Sequence, residues 1–144
     1  MTVAAILKQK GREVICASPT LLASDLARLL HERRIGAVLV QDAAGRLLGI
    51  VSERDLVSAL ALHGAQALSL TAAQIMTAEV ETVTPSCTVE EAMAIMTVRR
   101  FRHLPVMADG RLAGLISIGD VVKARITQQE HEVDSLKAYV AGAA

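Results

Sequence analysis

Aromatic residues are nearly missing from this 144-residue chain, which has one Phe, one Tyr and no Trp. Binders of single-stranded nucleic acid stack bases on aromatic rings, so that class of function is not expected. An excess of either charge is missing as well: fifteen Lys and Arg balance fifteen Asp and Glu. No global field attracts nucleic acid or an anionic membrane, and any anion site has to be local. Long apolar runs are absent. Ile35 to Val40 is far shorter than the roughly 20 residues needed to cross a bilayer. Met1 to Lys8 has too short an apolar stretch, and no basic lead-in, for a signal peptide. The expected location is cytoplasmic. Cysteine is scarce: Cys16 and Cys87 are far apart, match no metal spacing, and are expected to be buried thiols rather than a disulfide. The four histidines, at positions 31, 63, 103 and 131, are equally scattered, so no metal site is expected.

Aliphatic residues are abundant. Hydrophobic residues make up 52% and charged residues 21%, which excludes disorder. The core has to be built from Ala, Leu, Val, Ile and Met.

The sequence repeats itself. Gly49-Ile50-Val51-Ser52-Glu53-Arg54-Asp55-Leu56 recurs as Gly114-Leu115-Ile116-Ser117-Ile118-Gly119-Asp120-Val121. Upstream, Gly45-Arg46-Leu47 answers Gly110-Arg111-Leu112, and Arg34 to Val40 answers Arg100 to Val106. Ser18-Pro19 answers Thr84-Pro85, and Thr2 to Leu7 answers Thr71 to Met76. Two copies suggest a pseudo-twofold pair, since a solenoid needs more and shorter repeats. The boundaries are repeat 1 over 1–65, repeat 2 over 66–126 and a helical extension over 127–144.

Each copy reads as β-α-β-β-α after a short lead-in helix. First strands are expected at Val14 to Ala17 and Val80 to Val83, each ended by a proline. Leu22, Leu26, Leu29 and Leu30 share one helical face in the first copy, as do Val89, Ala92, Met93 and Met96 in the second. Two strands then flank a turn: Ala37 to Val40 with Leu47 to Val51, and Leu104 to Met107 with Leu112 to Ile116. Closing helices start at Glu53 and Ile118. The second runs on, with Ile126, Val133, Leu136 and Val140 as an apolar stripe. That stripe has no core of its own to cover, which predicts a homodimer. The fold class is α+β: two pseudo-twofold-related β-α-β-β-α repeats packed through their sheets, with a C-terminal extension helix.

Both copies place Ser, then Asp three residues later, at a strand-to-helix junction. Ser52 with Asp55 and Ser117 with Asp120 form a capping-box pattern, and capping alone explains a single copy. A helix N-terminus also suits phosphate, and a carboxylate there accepts well from a ribose diol. Arg102-His103, just before Leu104-Pro105-Val106, adds groups that neutralise or hydrogen-bond phosphate. Arg54 is either an exposed helix charge or a further phosphate contact. Lys8, Lys10 and Arg12 read as a small basic loop absent from the second copy, either solvated or in contact with a longer phosphate chain, the solvated loop being favoured.

Paired GIVSERDL and GLISIGDV motifs, with RHLPV before the second, resemble a tandem cystathionine-β-synthase (CBS) domain pair, a Bateman module of the small stand-alone type. The resemblance covers about residues 2 to 126. It implies adenine-nucleotide binding (AMP, ADP, ATP, NAD or S-adenosylmethionine) and a regulatory role as an energy or redox sensor acting on a target protein. By motif position it implies that Asp55 and Asp120 hold ribose hydroxyls. Ser52 and Ser117 would bond ribose or phosphate, and Arg102 and His103 would meet phosphate. Ile35, Gly36, Ala37, Cys16, Ala17, Val80 and Thr82 would wall the adenine. Gly36-Ala37 stands where the second copy has Arg102-His103, and Arg54 where it has Gly119, so the two sites are expected to differ. A dimerising interaction module with no physiological nucleotide is the alternative. Catalysis is not expected: there is no P-loop, metal-ligand cluster or repeated acid/base pair beyond the aspartates.

Overall fold

The computed structural model describes residues 1–143. The chain forms two compact units, which do not follow the order of the repeats. One is contiguous, Glu13–Glu81; the other joins Met1–Arg12 to Thr82–Ala144. The first lead-in helix, α1 (Val3–Lys10), therefore packs with the second repeat's strands and helices.

In the contiguous unit, β1 (Cys16–Ala17) leads to α2 (Ala23–Arg33), β2 (Ala37–Gln41), β3 (Leu47–Ser52) and α3 (Glu53–His63). A 3₁₀ turn (Gly64–Ser69) and the one-turn helix α4 (Ala72–Ile75) complete it. The sheet order is β1-β2-β3, with β1 parallel and β3 antiparallel to β2. α2 buries Leu26 and Leu30 in one core with Val38, Val40 and Val51, and its Ala23 is buried as well. Leu22, expected on that face, is the residue before the helix and is 39% exposed. It bridges Thr71 instead.

The discontinuous unit contains α1, α5 (Val89–Arg99), the antiparallel pair β4 (His103–Ala108) and β5 (Arg111–Ser117), and the 26-residue α6 (Ile118–Ala143). Thr88 caps α5, its Oγ1 accepting from the Glu91 amide at 3.1 Å. Asp109 and Gly110 both have positive φ, 53° and 75°, as a two-residue hairpin turn requires. Val3, Ile6 and Leu7 of α1 enter one core with Leu104, Val106, Ile116 and Val121.

A glycine makes each lead-in contact possible. A Cβ on Gly114 would lie 2.6 Å from a Leu7 methyl, and one on Gly49 would lie 2.7 Å from the Thr77 carbonyl oxygen. The glycine opening each repeated motif thus admits a lead-in segment against the strand.

The strand expected at Val80 to Val83 does not form; only Val83 is bridged, to Val106. In the first repeat the Leu39 amide donates to the Ile15 carbonyl at 3.3 Å. Pro105 stands at the position of Leu39 and has no N–H, so the matching bond to Glu81 cannot be made. The ladder shrinks to the bonds flanking Val83: its amide to the Pro105 carbonyl, and the Met107 amide to its carbonyl. The strand expected from Val14 likewise covers only Cys16–Ala17.

Candidate functional site

The repeated motif ends a strand and starts a helix in both units, and the Ser–Asp pair fastens the junction. In the contiguous unit the Ser52 amide and hydroxyl both donate to Asp55 Oδ2, at 2.8 and 3.1 Å. The Asp55 amide returns to Ser52 Oγ at 3.4 Å. The Thr77 hydroxyl, just beyond α4, donates to Asp55 Oδ1 at 3.1 Å. In the discontinuous unit the Ser117 amide donates to Asp120 Oδ2 at 2.8 Å, and the Asp120 amide to Ser117 Oγ at 3.2 Å. The capping function of both serines is therefore real.

Strand register brings the expected neighbours together. Ser52 lies opposite Ala37 and Ser117 opposite His103. The Glu53 amide donates to the Gly36 carbonyl at 3.0 Å, and the Ile118 amide to the Arg102 carbonyl at 2.8 Å. Ile35, Gly36 and Ala37 thus stand beside Ser52, Arg54 and Asp55, while Arg102 and His103 stand beside Ser117 and Asp120. Arg54 and Arg102 are exposed, and Ala37 is buried. An open depression of about 700 Å³ adjoins the first set, lined by His31, Arg34, Ile35, Gly36 and Glu53 among others. It does not include Ser52 or Asp55.

Cys16 and Ala17 lie on β1, across β2 from β3, with Cys16 paired to Leu39 and Ala17 to Val40. Burial pushes the Cys16 thiol above its ordinary range, so it stays protonated at neutral pH. The Cys87 thiol is raised too, first by burial and then by Glu91. Val80 and Thr82 stand in the irregular stretch where the chain passes from one unit to the other, outside both sets.

Lys10 is where the structure corrects the sequence reading. It is the last residue of α1 rather than part of a solvated loop. Its Nζ donates to Asp120 Oδ2 at 2.6 Å and to the Leu115 carbonyl at 2.8 Å. Burial alone would raise the Asp120 carboxyl; the bonds from Lys10 and the Ser117 amide, with the Lys10 charge, outweigh it and hold the group below its ordinary range. Thr77 is the corresponding partner that the sequence did not reveal for Asp55. Each aspartate therefore carries one bond from a lead-in segment, neutral in one unit and cationic in the other.

Among the described residues no cluster of three or more His, Cys, Asp or Glu could hold a metal ion, and no helix is long and apolar enough to cross a membrane.

Comparison with known proteins gives consistent matches. The CBS domain matches residues 7–62 and 72–127. The chain is 32% identical to the mitochondrial CBS domain-containing protein CBSX3 of Arabidopsis thaliana, over 98% of this chain and 72% of that protein. The crystal structure of the CBS-domain protein ATU1752 from Agrobacterium tumefaciens superposes with a TM-score of 0.85 at 48% identity, covering 87% of this chain and 99% of that one. The crystal structure of CBSX2 in complex with AMP superposes with a TM-score of 0.72 at 28% identity, covering 89% and 98%.

Proposed function

The chain belongs to the CBS domain family, with two copies of the domain, and from that premise we propose that it is a regulatory module that binds an adenine nucleotide. The carrying observation is the twice-built junction in which a partly buried Asp is presented at a helix start beside a strand entrance. Asp55 and Asp120 are the diol acceptors in this reading. Asp55 Oδ1 has one bond from Thr77, and Asp120 Oδ1 has none among the described residues, so each carboxylate keeps acceptor capacity. Two of the first three helix amides are already engaged at each junction. Phosphate recognition therefore falls mainly to side chains, with Arg102 and His103 at one site and Arg54 at the other. Ile35, Ala37, Ala17 and Cys16 supply aliphatic and thiol walls for adenine in place of aromatic ones. The AMP carried by CBSX2, a structural relative, supports the choice of ligand class.

A ligand that favours one arrangement of the module shifts its population, and a target protein reads that shift. The nucleotide is one of AMP, ADP, ATP or NAD. The test is calorimetric titration with each, alongside the absorbance spectrum of freshly purified protein. With one Tyr and no Trp, a copurified nucleotide dominates the ultraviolet spectrum, and mass spectrometry names it. Saturable binding with preference for adenine over guanine supports the reading. No binding of any of the four overturns it.

A further inference from the structure

The two junctions are built alike except for what each lead-in segment offers its aspartate. Thr77 gives Asp55 a neutral hydroxyl at 3.1 Å, and Lys10 gives Asp120 an ammonium at 2.6 Å. The neighbouring residues widen this difference. Glu53 and Arg54, one of each sign, precede Asp55, whereas the uncharged Ile118 and Gly119 precede Asp120. Arg102 stands beside the second junction, its carbonyl accepting from the Ile118 amide, and the uncharged Gly36 holds the matching place at the first. Lys10 and Arg102 therefore outweigh Asp120 at one junction, while Glu53 and Asp55 outweigh Arg54 at the other.

We propose that Lys10 is the specificity-determining residue of the Asp120 site, where it selects an anionic, phosphorylated adenylate over the neutral nucleoside, a selection that Thr77 does not make at Asp55. The proposal rests on the reading of both aspartates as ribose acceptors. Asp120 Oδ2 is taken by the Ser117 amide and by Lys10. A diol that uses both carboxylate oxygens displaces the ammonium and breaks the ion pair. A neutral nucleoside offers nothing to the freed cation. A phosphate on the same ligand does, because the ammonium is a compact charge with three donors on a flexible four-carbon stem. Nothing in the packing pins that stem: Lys10 is the last residue of α1, its side chain is partly exposed, and Gly11 follows with φ 99° and open space beside it. At Asp55 the displaced group is a hydroxyl, which water satisfies at little cost. Ligand charge acts there only through the exposed Arg54.

The experiment reads each site of the full chain by NMR titration with adenosine and with AMP. The Ser117 and Asp120 amides report one site, and the Ser52 and Asp55 amides the other. At the Asp120 site AMP should bind about tenfold or more tighter than adenosine. Lys10→Met should cut that ratio about fivefold, mostly by tightening adenosine, and Lys10→Arg should keep it. The ratio at the Asp55 site should be the same in all three proteins. The Lys10 ammonium resonance should persist, shifted, with AMP and be lost to exchange with water when adenosine binds. A wild-type ratio near one at Asp120, or a ratio that Lys10→Met leaves unchanged, overturns the proposal, while ligand shifts at the amides still uphold nucleotide binding. A ratio that collapses as far in Lys10→Arg as in Lys10→Met overturns charge as its cause. No shift at either pair of amides with either ligand overturns the nucleotide reading itself, and this proposal with it.

Discussion

Lys10→Met tests whether the cation at Asp120 competes with a bound ribose. In the free protein Lys10 Nζ ties the end of α1 to β5 and to the first turn of α6 through two bonds. The Lys10 side chain is 38% exposed and that of Asp120 24%, so solvent screens the pair and it contributes about 0.2–1 kcal/mol. The bond to the Leu115 carbonyl adds roughly 0.5–1 kcal/mol. Removing both should destabilise the free protein by about 1 kcal/mol, or ~2–4 °C in melting temperature for a chain of this size. Ligand binding should move the opposite way. Asp120 Oδ2 already accepts from the Ser117 amide and from Lys10, so a bidentate diol has to dislodge Lys10. Without the lysine, adenosine should bind about fivefold more tightly, the equivalent of about 1 kcal/mol. AMP should gain less, because the released ammonium otherwise meets its phosphate. Calorimetry with adenosine and AMP, and thermal denaturation without ligand, supply the readings. Lys8→Met removes the same charge from the same helix and is the control. A loss of stability with unchanged or weaker adenosine binding would refute the competition.

Other outcomes follow from the same contacts. Asp120→Ala should weaken AMP binding by about tenfold or more if both ribose hydroxyls are read, and Asp120→Asn less, with 2′-deoxyadenosine monophosphate closing a double-mutant cycle. A pure cap instead costs about 1 kcal/mol of stability and leaves affinity alone. The folded Asp120 carboxyl lies below its ordinary range, so its stabilisation is complete above the ordinary carboxylate pKa and is lost as pH falls through the depressed value. Asp120→Asn should therefore flatten the acid limb of a stability profile, and an unchanged limb would count against the ion pair. Gly49→Ala, facing the Thr77 backbone at 2.7 Å, should destabilise by about 1–3 kcal/mol. Gly114→Ala, facing only the Leu7 side chain, should cost less, as denaturant melts will show.

Much of this architecture is written locally. The Ser-x-x-Asp pattern placed both helix starts correctly because a capping box is satisfied within four residues. Asp109-Gly110 announced its turn because few residues tolerate positive φ. The strand at Val80 was misjudged because its partner supplies the defect: Pro105, more than twenty residues downstream, withholds the amide that would have lengthened the ladder. Lys10 was misread for a related reason. Its partner Asp120 is 110 residues away, and nothing near Lys10 distinguishes a paired lysine from a solvated one. Thr77 at Asp55 is hidden in the same manner, since no short pattern joins a threonine to an aspartate 22 residues earlier.

The non-contiguous unit also imposes an order on events during synthesis. Glu13–Glu81 holds all of its own parts, so it can close as soon as Glu81 has left the ribosome, in keeping with domains folding as they emerge. Val3, Ile6 and Leu7 are made earlier but have to wait for Leu104, Val106 and Ile116. Until then the apolar side of α1 has no burial partner in its own unit. A circular permutant that opens the chain between Arg12 and Glu13 and joins the old ends would make both units contiguous. It should remove the wait of α1 but make β4, β5 and α6 wait for α1, now made last, and pulse-labelled nascent chains would reveal the change as later protection of the second repeat from protease.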